Sequence, residues 1–96
     1  PRGTAKYSLT FLMNHYVYML RSVKNRKVKT YVGYTINLKK RLNMHNLGQG
    51  AKSTRGRYWK IIFKKKYSNK SSALKAEYFL KKNFFLRKKI IKKLNL

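Results

Sequence analysis

Three side chains that could act together on an anion lie close together in the sequence. A predicted helix carries Arg41 and His45 one turn apart, on the face that also carries Leu38 and Leu42. The phenol of Tyr31 lies just upstream, in an apolar and aromatic strand segment. Because this helix face should pack against the rest of the fold, the guanidinium and the imidazole are expected to point inward. They form either a satisfied structural network or a site that binds an anion.

Glu77 is the only acidic side chain of the chain, and it falls in the middle of a later predicted helix. Its neighbours on the helix face are mostly apolar: Ala73, Leu74, Leu80 and Lys81. Burying an ionised carboxylate is costly unless it is paired or binds a metal. One interpretation is a salt bridge to Lys81 or Arg41. The other is a site for Mg²⁺, which one carboxylate can hold together with waters and substrate phosphate oxygens.

The charge of the chain indicates a polyanionic partner. The 96 residues contain 26 lysines and arginines against one acid, a formal net charge of +25. An A+T-rich genome would account for part of the lysine but not for the missing acids. Binding to a membrane surface is the competing interpretation, although no apolar run approaches the ~20 residues needed to span a bilayer. Without cysteine, disulfides and thiolate metal sites are excluded.

The elements that must position these residues follow the order β-β-α-β-α-α. Two β-rich segments flank a polar turn, and helix-start and helix-stop signals delimit the helices. The predicted segments are strands over His15–Leu20, Lys29–Tyr34 and Tyr58–Tyr67, and helices over Leu38–Leu47, Ala73–Lys82 and Phe84–Leu94. This order predicts an α+β domain, in which helices flank a small, mainly antiparallel three-stranded sheet with His15–Leu20 as its central strand. Residues 1–13 are interpreted as an N-terminal extension and residues 14–96 as one domain.

Three local features of these segments bear on the site. Alternation along the third strand predicts that Trp59, Ile61 and Phe63 share one buried face. Gly33 indicates either a close approach of the backbone to another group or a bend in the strand. The segment Gly48–Arg57, with three glycines and three cations, is predicted to be a flexible loop.

Together these residues resemble the GIY-YIG nuclease superfamily. Tyr16-Val17-Tyr18 stands where the first tripeptide belongs, with tyrosine in place of its glycine, and Tyr31-Val32-Gly33 stands where the second belongs. The remaining residues follow in the family's order: Arg41, His45-Asn46 and Glu77. The similarity extends from His15 to about Leu94, and the glycine-rich loop looks most like the small stand-alone bacterial members. The stretch from Tyr31 to Asn46 is also similar to structure-specific nucleases.

The resemblance implies metal-assisted hydrolysis of phosphodiester bonds. Tyr31 would contact or deprotonate the attacking water, and His45 would accept the proton of Tyr31 or act as the base itself. Tyr18 would orient the water or the phosphate, and Arg41 would bind a phosphate oxygen. Glu77 would hold a single Mg²⁺ or Mn²⁺ that stabilises the leaving oxygen. Without the resemblance, the two tyrosines would be read as core aromatics.

Five cations are the predicted contacts to the phosphate backbone: Lys39, Lys40, Lys52, Arg55 and Arg57. For those in the loop, a merely solvated position is the alternative. The predicted function is that of a metal-dependent DNA endonuclease, structure-specific and linked to repair or recombination, in the bacterial cytoplasm near the nucleoid. RNA remains open as a substrate, and neither a membrane nor a small organic cofactor is expected. The alternative is a basic module on the same fold that binds nucleic acid without cleaving it.

Overall fold

The computed structural model describes residues 13–94 and confirms the predicted order of elements. The elements are β1 (His15–Lys24), β2 (Lys27–Thr35), α1 (Leu38–Asn46), β3 (Lys60–Tyr67), α2 (Lys70–Lys82) and α3 (Phe84–Lys93), with a short 3₁₀ turn at Lys52–Thr54. The domain is α+β, as predicted. The predicted extension falls almost wholly on residues 1–12, which lie outside the described residues.

The sheet has the strand order β2-β1-β3, and both strand pairs are antiparallel. β1 is therefore the central strand, as its uninterrupted apolar run predicts. β1 and β2 are longer than expected because a two-residue turn replaces the predicted polar loop. Asn25 and Arg26 in this turn have φ of 52° and 66°, the left-handed pair that suits the twist of a tight hairpin.

A β-bulge corrects the predicted burial of the third strand. Met19 pairs with Phe63 and the next residue, Leu20, pairs with Ile61, so Ile62 is an extra residue in β3. Ile61 therefore packs with Trp59 on one face of the sheet, whereas Phe63 packs on the other. The expectation that Trp59, Ile61 and Phe63 share one face is wrong, because sequence alternation cannot register an inserted residue.

The helices cover both faces of the sheet. On one face, α2 and α3 cover a cluster built on Val17, Met19 and Val32. On the other face, Tyr18, Leu20 and Trp59 form a second cluster. Leu38 and Leu42, the apolar residues of α1, pack against this cluster. The face of α1 predicted to point inward is confirmed.

Asparagine caps set where the three helices begin. The side-chain oxygens of Asn37, Asn69 and Asn83 accept hydrogen bonds from backbone N–H groups three residues later, at 2.8–3.0 Å. Since Asn69 is the cap, α2 begins at Lys70, three residues before the predicted start. Within residues 13–94, no helix combines the length and the apolar character that crossing a membrane would require.

Candidate active site

Three aromatic side chains from β1, β2 and α1 meet on the α1 face of the sheet. The ring centroid of Tyr31 lies 4.9 Å from that of His45 and 6.3 Å from that of Tyr18, and the Tyr18 and His45 centroids are 5.9 Å apart. Tyr18 and His45 are each only 1% exposed, whereas Tyr31 is half-buried. Of these three rings, Tyr31 is therefore the one that solvent and a substrate can reach.

A chain of hydrogen bonds fixes the protonation of the buried imidazole. The Thr54 hydroxyl donates its proton to the carbonyl of Ala51 at 2.8 Å, so it can only accept from His45 Nδ1, 2.9 Å away. A neutral His45 protonated at Nδ1 has a bare Nε2, which accepts from the Tyr18 hydroxyl at 2.9 Å. Burial and the nearby charge of Arg41 lower the pKa of His45, which favours this neutral form.

This arrangement limits what His45 can do. Both of its ring nitrogens are engaged, one with Tyr18 and one with Thr54, and Tyr31 meets the ring through a tilted aromatic contact. The predicted transfer of a proton from Tyr31 to His45 would need one of these bonds to break first. In this arrangement, His45 holds and orients Tyr18.

Two glycines make room for the buried pair. A Cβ on Gly33 would overlap the hydroxyl of Tyr18, and a Cβ on Gly50 would overlap Nδ1 of His45. Of the two expectations for Gly33, a close approach of the backbone to another group is therefore the correct one. Any larger residue at either position would displace the phenol or the imidazole.

Charged groups of both signs act on the Tyr18 hydroxyl. Burial raises the pKa of Tyr18 far above its ordinary value, the neighbouring Tyr31 raises it further, Arg41 lowers it and Glu77 raises it. Tyr18 is therefore a neutral hydrogen-bond donor rather than a base. Arg41 and Glu77, which are far apart in sequence, therefore both influence the Tyr18 hydroxyl.

Glu77 forms the predicted salt bridge with Lys81. Its Oε2 lies 3.4 Å from the Lys81 ammonium, and the Glu77 side chain is 18% exposed against 48% for Lys81. Lys81 also lines a cleft of about 260 Å³ together with Tyr31 and Arg87. The Glu77 carboxylate is thus half-buried, and its partner Lys81 lines the same cleft as Tyr31.

The donor set for a metal ion is minimal. Among residues 13–94, no three histidine, cysteine, aspartate or glutamate side chains are grouped so as to hold a metal. Glu77 has the single carboxylate side chain of the whole sequence. The residues therefore fit an ion such as Mg²⁺, which takes one or two carboxylates and completes its shell with water and phosphate oxygens. They do not fit an ion that needs an all-protein cage.

The predicted phosphate-binding cations differ in their surroundings. Lys39, Lys40, Lys52 and Arg55 are exposed to solvent. Arg57 is half-buried, and its guanidinium donates to the carbonyls of Ser22 and Lys27 at 3.2 and 3.5 Å. It therefore ties the loop to the β1–β2 hairpin, in parallel with Lys24, which donates to the carbonyl of Gly56 at 2.8 Å.

The loop Gly48–Arg57 is more ordered than its composition predicts. Thr54 is fully buried, and its carbonyl accepts a hydrogen bond from the Trp59 indole at 2.8 Å. Sequence reasoning missed Thr54 and Gly50, because a threonine and a glycine in a basic, glycine-rich stretch look like ordinary loop residues. The segment is the support of His45.

A second tyrosine–histidine pair lies on the opposite face of the sheet. Tyr34 hydroxyl and His15 Nδ1 are 2.7 Å apart, and the two rings are stacked. His15 is 2% exposed, and burial raises the pKa of Tyr34. Tyr34 packs against the cluster under α2 and α3, so this pair belongs to that core.

Comparison with known proteins connects this arrangement to one family. The family described as the GIY-YIG catalytic domain matches residues 14–90. A UPF0213 protein of Oceanobacillus iheyensis is 50% identical over 68 residues, which cover 70% of this chain and 76% of the relative. The UPF0213 protein YazA of Bacillus subtilis is 42% identical over 70 residues, covering 72% and 68%. A solution NMR structure of a UPF0213 protein from Bacillus halodurans covers 85% of both chains, at 35% identity and a TM-score of 0.47. The family match takes in the whole sheet, α1, α2 and most of α3, and the chain belongs to the GIY-YIG catalytic-domain family.

Proposed function

We propose that this protein is a metal-dependent endonuclease that hydrolyses phosphodiester bonds in DNA. One observation carries the proposal: Tyr31 lines a cleft together with Lys81 and Arg87. The buried chain of hydrogen bonds from Tyr18 through His45 to Thr54 lies directly behind Tyr31. Cations at the mouth attract a phosphodiester, and an ordered phenol within the cleft meets it. Membership in a family of nuclease domains and the charge of +25 support the same assignment.

In this mechanism each residue has a separate task. Lys81 and Arg87 hold the backbone phosphates at the cleft, and Arg41 neutralises the charge that develops on a phosphate oxygen. Tyr31 orients the attacking water and is the candidate relay for its proton: the phenol oxygen accepts the proton of this water as its own hydroxyl proton passes to bulk water. Tyr18 is not a candidate proton acceptor, because burial keeps it neutral and its hydroxyl donates a hydrogen bond to His45.

Glu77 is the candidate ligand of Mg²⁺ or Mn²⁺, and the ion would supply positive charge next to the leaving oxygen. Lys81 pairs with one oxygen of this carboxylate, Oε2. Positive charge held at Glu77 would weaken that pairing, and the Lys81 ammonium would then be freer to contact a phosphate in the cleft.

The test is cleavage of a panel of DNA substrates with and without Mg²⁺. Plasmid, nicked, flapped and forked DNA should show phosphodiester cleavage that depends on the metal and is slowed by ~10²-fold or more when Tyr31 is changed to Phe. A preference for flapped or forked DNA would support structure-specific cleavage and a role in repair or recombination.

A second candidate function is nucleic-acid binding without cleavage. The observation that favours it is the Glu77–Lys81 salt bridge, which gives the only carboxylate a structural partner. Under this function, DNA would bind and would stay intact both in Mg²⁺ and in chelator. Metal-dependent cleavage would exclude it.

A further inference from the structure

Aromatic side chains stand out in solvent where α2 meets α3. Phe85 is 81% exposed, Phe84 55% and Tyr78 64%. An isolated exposed ring is ordinary, but several beside one another indicate an interaction site. We call this region, with the cations described next, the α2–α3 surface: Tyr78, Lys82, Phe84, Phe85, Arg87 and Lys88.

Cations lie against the rings of the α2–α3 surface. The Lys82 ammonium is 5.5 Å from the Tyr78 ring centroid, and the Lys88 ammonium and Arg87 guanidinium are 5.4 and 6.0 Å from that of Phe84. Phe85 packs edge-on against Phe84, with ring centroids 5.7 Å apart. Beyond Phe85, a depression of about 500 Å³ is lined by further lysines of α3. Tyr78 and Phe84 therefore each have a positive charge against the ring, and Phe85 extends the second of these groups.

The α2–α3 surface is continuous with the candidate active site. Arg87 both lies over Phe84 and lines the cleft at Tyr31. Its guanidinium is held in place by the carbonyls of Leu80 and Lys81, at the C-terminal end of α2. A strand that leaves the cleft past Arg87 would reach Phe84 and then Phe85.

The chemistry of this surface fits one kind of occupant best. Double-stranded DNA presents phosphates but keeps its base faces stacked, so it would leave the phenylalanines unused. A second copy of the chain in a symmetric contact would bring the same lysines together, and the chain has one acid to offset them. A strand of unpaired nucleotides presents phosphates to the cations and base faces to the rings.

We propose that the α2–α3 surface binds an unpaired strand of nucleic acid and directs this strand into the cleft at Tyr31. This inference rests on the proposed function for the position of the cut, but the binding itself is independent of cleavage. It makes a substrate with a single-stranded segment, rather than continuous duplex, the preferred one.

Binding of fluorescent oligonucleotides to the full chain tests the proposal. With chelator present, a single-stranded oligothymidine should bind at least about fivefold more weakly to Phe85→Ala than to the parent protein. Fivefold is the smallest loss of affinity expected when one base loses its stacking contact. Duplex of the same length should bind equally to both proteins. Phe85→Tyr should retain the affinity and Phe85→Leu should not, because leucine keeps apolar area but has no flat face. The control is Leu47→Ala, which also truncates an exposed apolar side chain, since Leu47 is 71% exposed. It should leave the affinities for single strand and for duplex unchanged.

Salt dependence separates the rings from the cations. Phe85→Ala should weaken binding without changing the slope of log K against log salt, since it removes no charge. Lys88→Gln should flatten the slope by ~0.7 on a single strand, the value for one phosphate contact. An oligouridine of equal length shows whether RNA is bound as well as DNA.

The outcomes distinguish this inference from the proposed function. Equal losses for single strand and duplex in Phe85→Ala, or no loss for either, would overturn the inference even if the enzyme cleaves. Loss of binding to anionic vesicles, or of a concentration-dependent dimer, with single-strand affinity unchanged would assign the surface to lipid or to a second copy. Ring-dependent single-strand binding by a protein that cleaves nothing would uphold the inference and refute the proposed function.

Discussion

The protein contains two hydrogen-bonded tyrosine–histidine pairs, one on each face of its sheet. The Tyr18–His45 rings meet edge to face, and the His15–Tyr34 rings are stacked. Both pairs are buried wholly or in part, and both are joined by hydrogen bonds of ordinary length, 2.9 and 2.7 Å. Since both faces contain a phenol bonded to an imidazole, this pairing does not by itself identify a site.

The surroundings of the two pairs are what differ. Tyr18 and His45 lie beside Tyr31, within the field of Arg41 and Glu77, and His45 has a second partner in Thr54. Tyr34 lies beside an apolar cluster. The first pair therefore borders a residue that lines a cleft, whereas the second pair satisfies polar atoms within a core.

Glu77→Gln should abolish cleavage in Mg²⁺ while leaving DNA affinity nearly intact, because it removes the only carboxylate ligand and adds no repulsion. The lost ion pair with the exposed Lys81 should cost at most about 1 kcal/mol of stability. Cleavage rate, affinity and melting temperature without metal are the measurements. Cleavage at the parental rate would remove Glu77 from the metal site, and a large drop in melting temperature would make it a structural residue.

Tyr31→Phe should lower the cleavage rate by ~10²-fold or more, the scale of a general-base contribution, with little change in stability. Tyr34→Phe is the matched control on the other face. It leaves the buried His15 Nδ1 without its partner and should cost about 1–3 kcal/mol of stability without changing the rate per folded molecule. If the two variants exchange these phenotypes, the functional distinction between the two faces is wrong.

Thr54→Val should lower the rate by about tenfold and Thr54→Ser should restore it. Valine keeps the volume but neither accepts from His45 Nδ1 nor donates to Ala51, so the imidazole loses the bond that fixes its tautomer. Tenfold corresponds to ~1.4 kcal/mol, about one hydrogen bond. A serine variant as slow as the valine variant would show that packing, rather than the hydroxyl, is what Thr54 provides.

The smallest effect expected is on the pH dependence of stability. Burial and Arg41 lower the pKa of His45 in the folded protein. As the pH falls through ~6.5, the unfolded chain therefore binds a proton at this residue while the folded chain does not. Stability from this residue is therefore full above that pH and declines as the pH falls towards the folded pKa. Urea unfolding followed from about pH 8 to about pH 5 should show the decline, and His45→Asn should show less of it. An unchanged decline in that variant would trace it to another group.

The order of the elements and the inward-facing polar residues of α1 could be predicted from the sequence. The loop residue that supports His45 could not. Arg41 and His45 could be predicted because helical periodicity places them among Leu38 and Leu42. Thr54 could not, because it lies nine positions after His45, beyond the end of α1, and no helical or strand period links the two residues. The bulge at Ile62 was hidden for a related reason, since alternation assumes a register that only the partner strand determines.

The two outer strands have a consequence for how the protein behaves in concentrated solution. Within residues 13–94, no further strand pairs with the outer edge of β2 or of β3, so their backbone groups could pair with a strand from another molecule. Exposed lysines line both of them: Lys27 and Lys29 on β2, and Lys64, Lys65 and Lys66 on β3. Their mutual repulsion keeps the edges of two molecules apart. Colloidal stability therefore depends on the charge itself, and the protein should be most prone to edge-to-edge aggregation where salt or a bound polyanion has cancelled it.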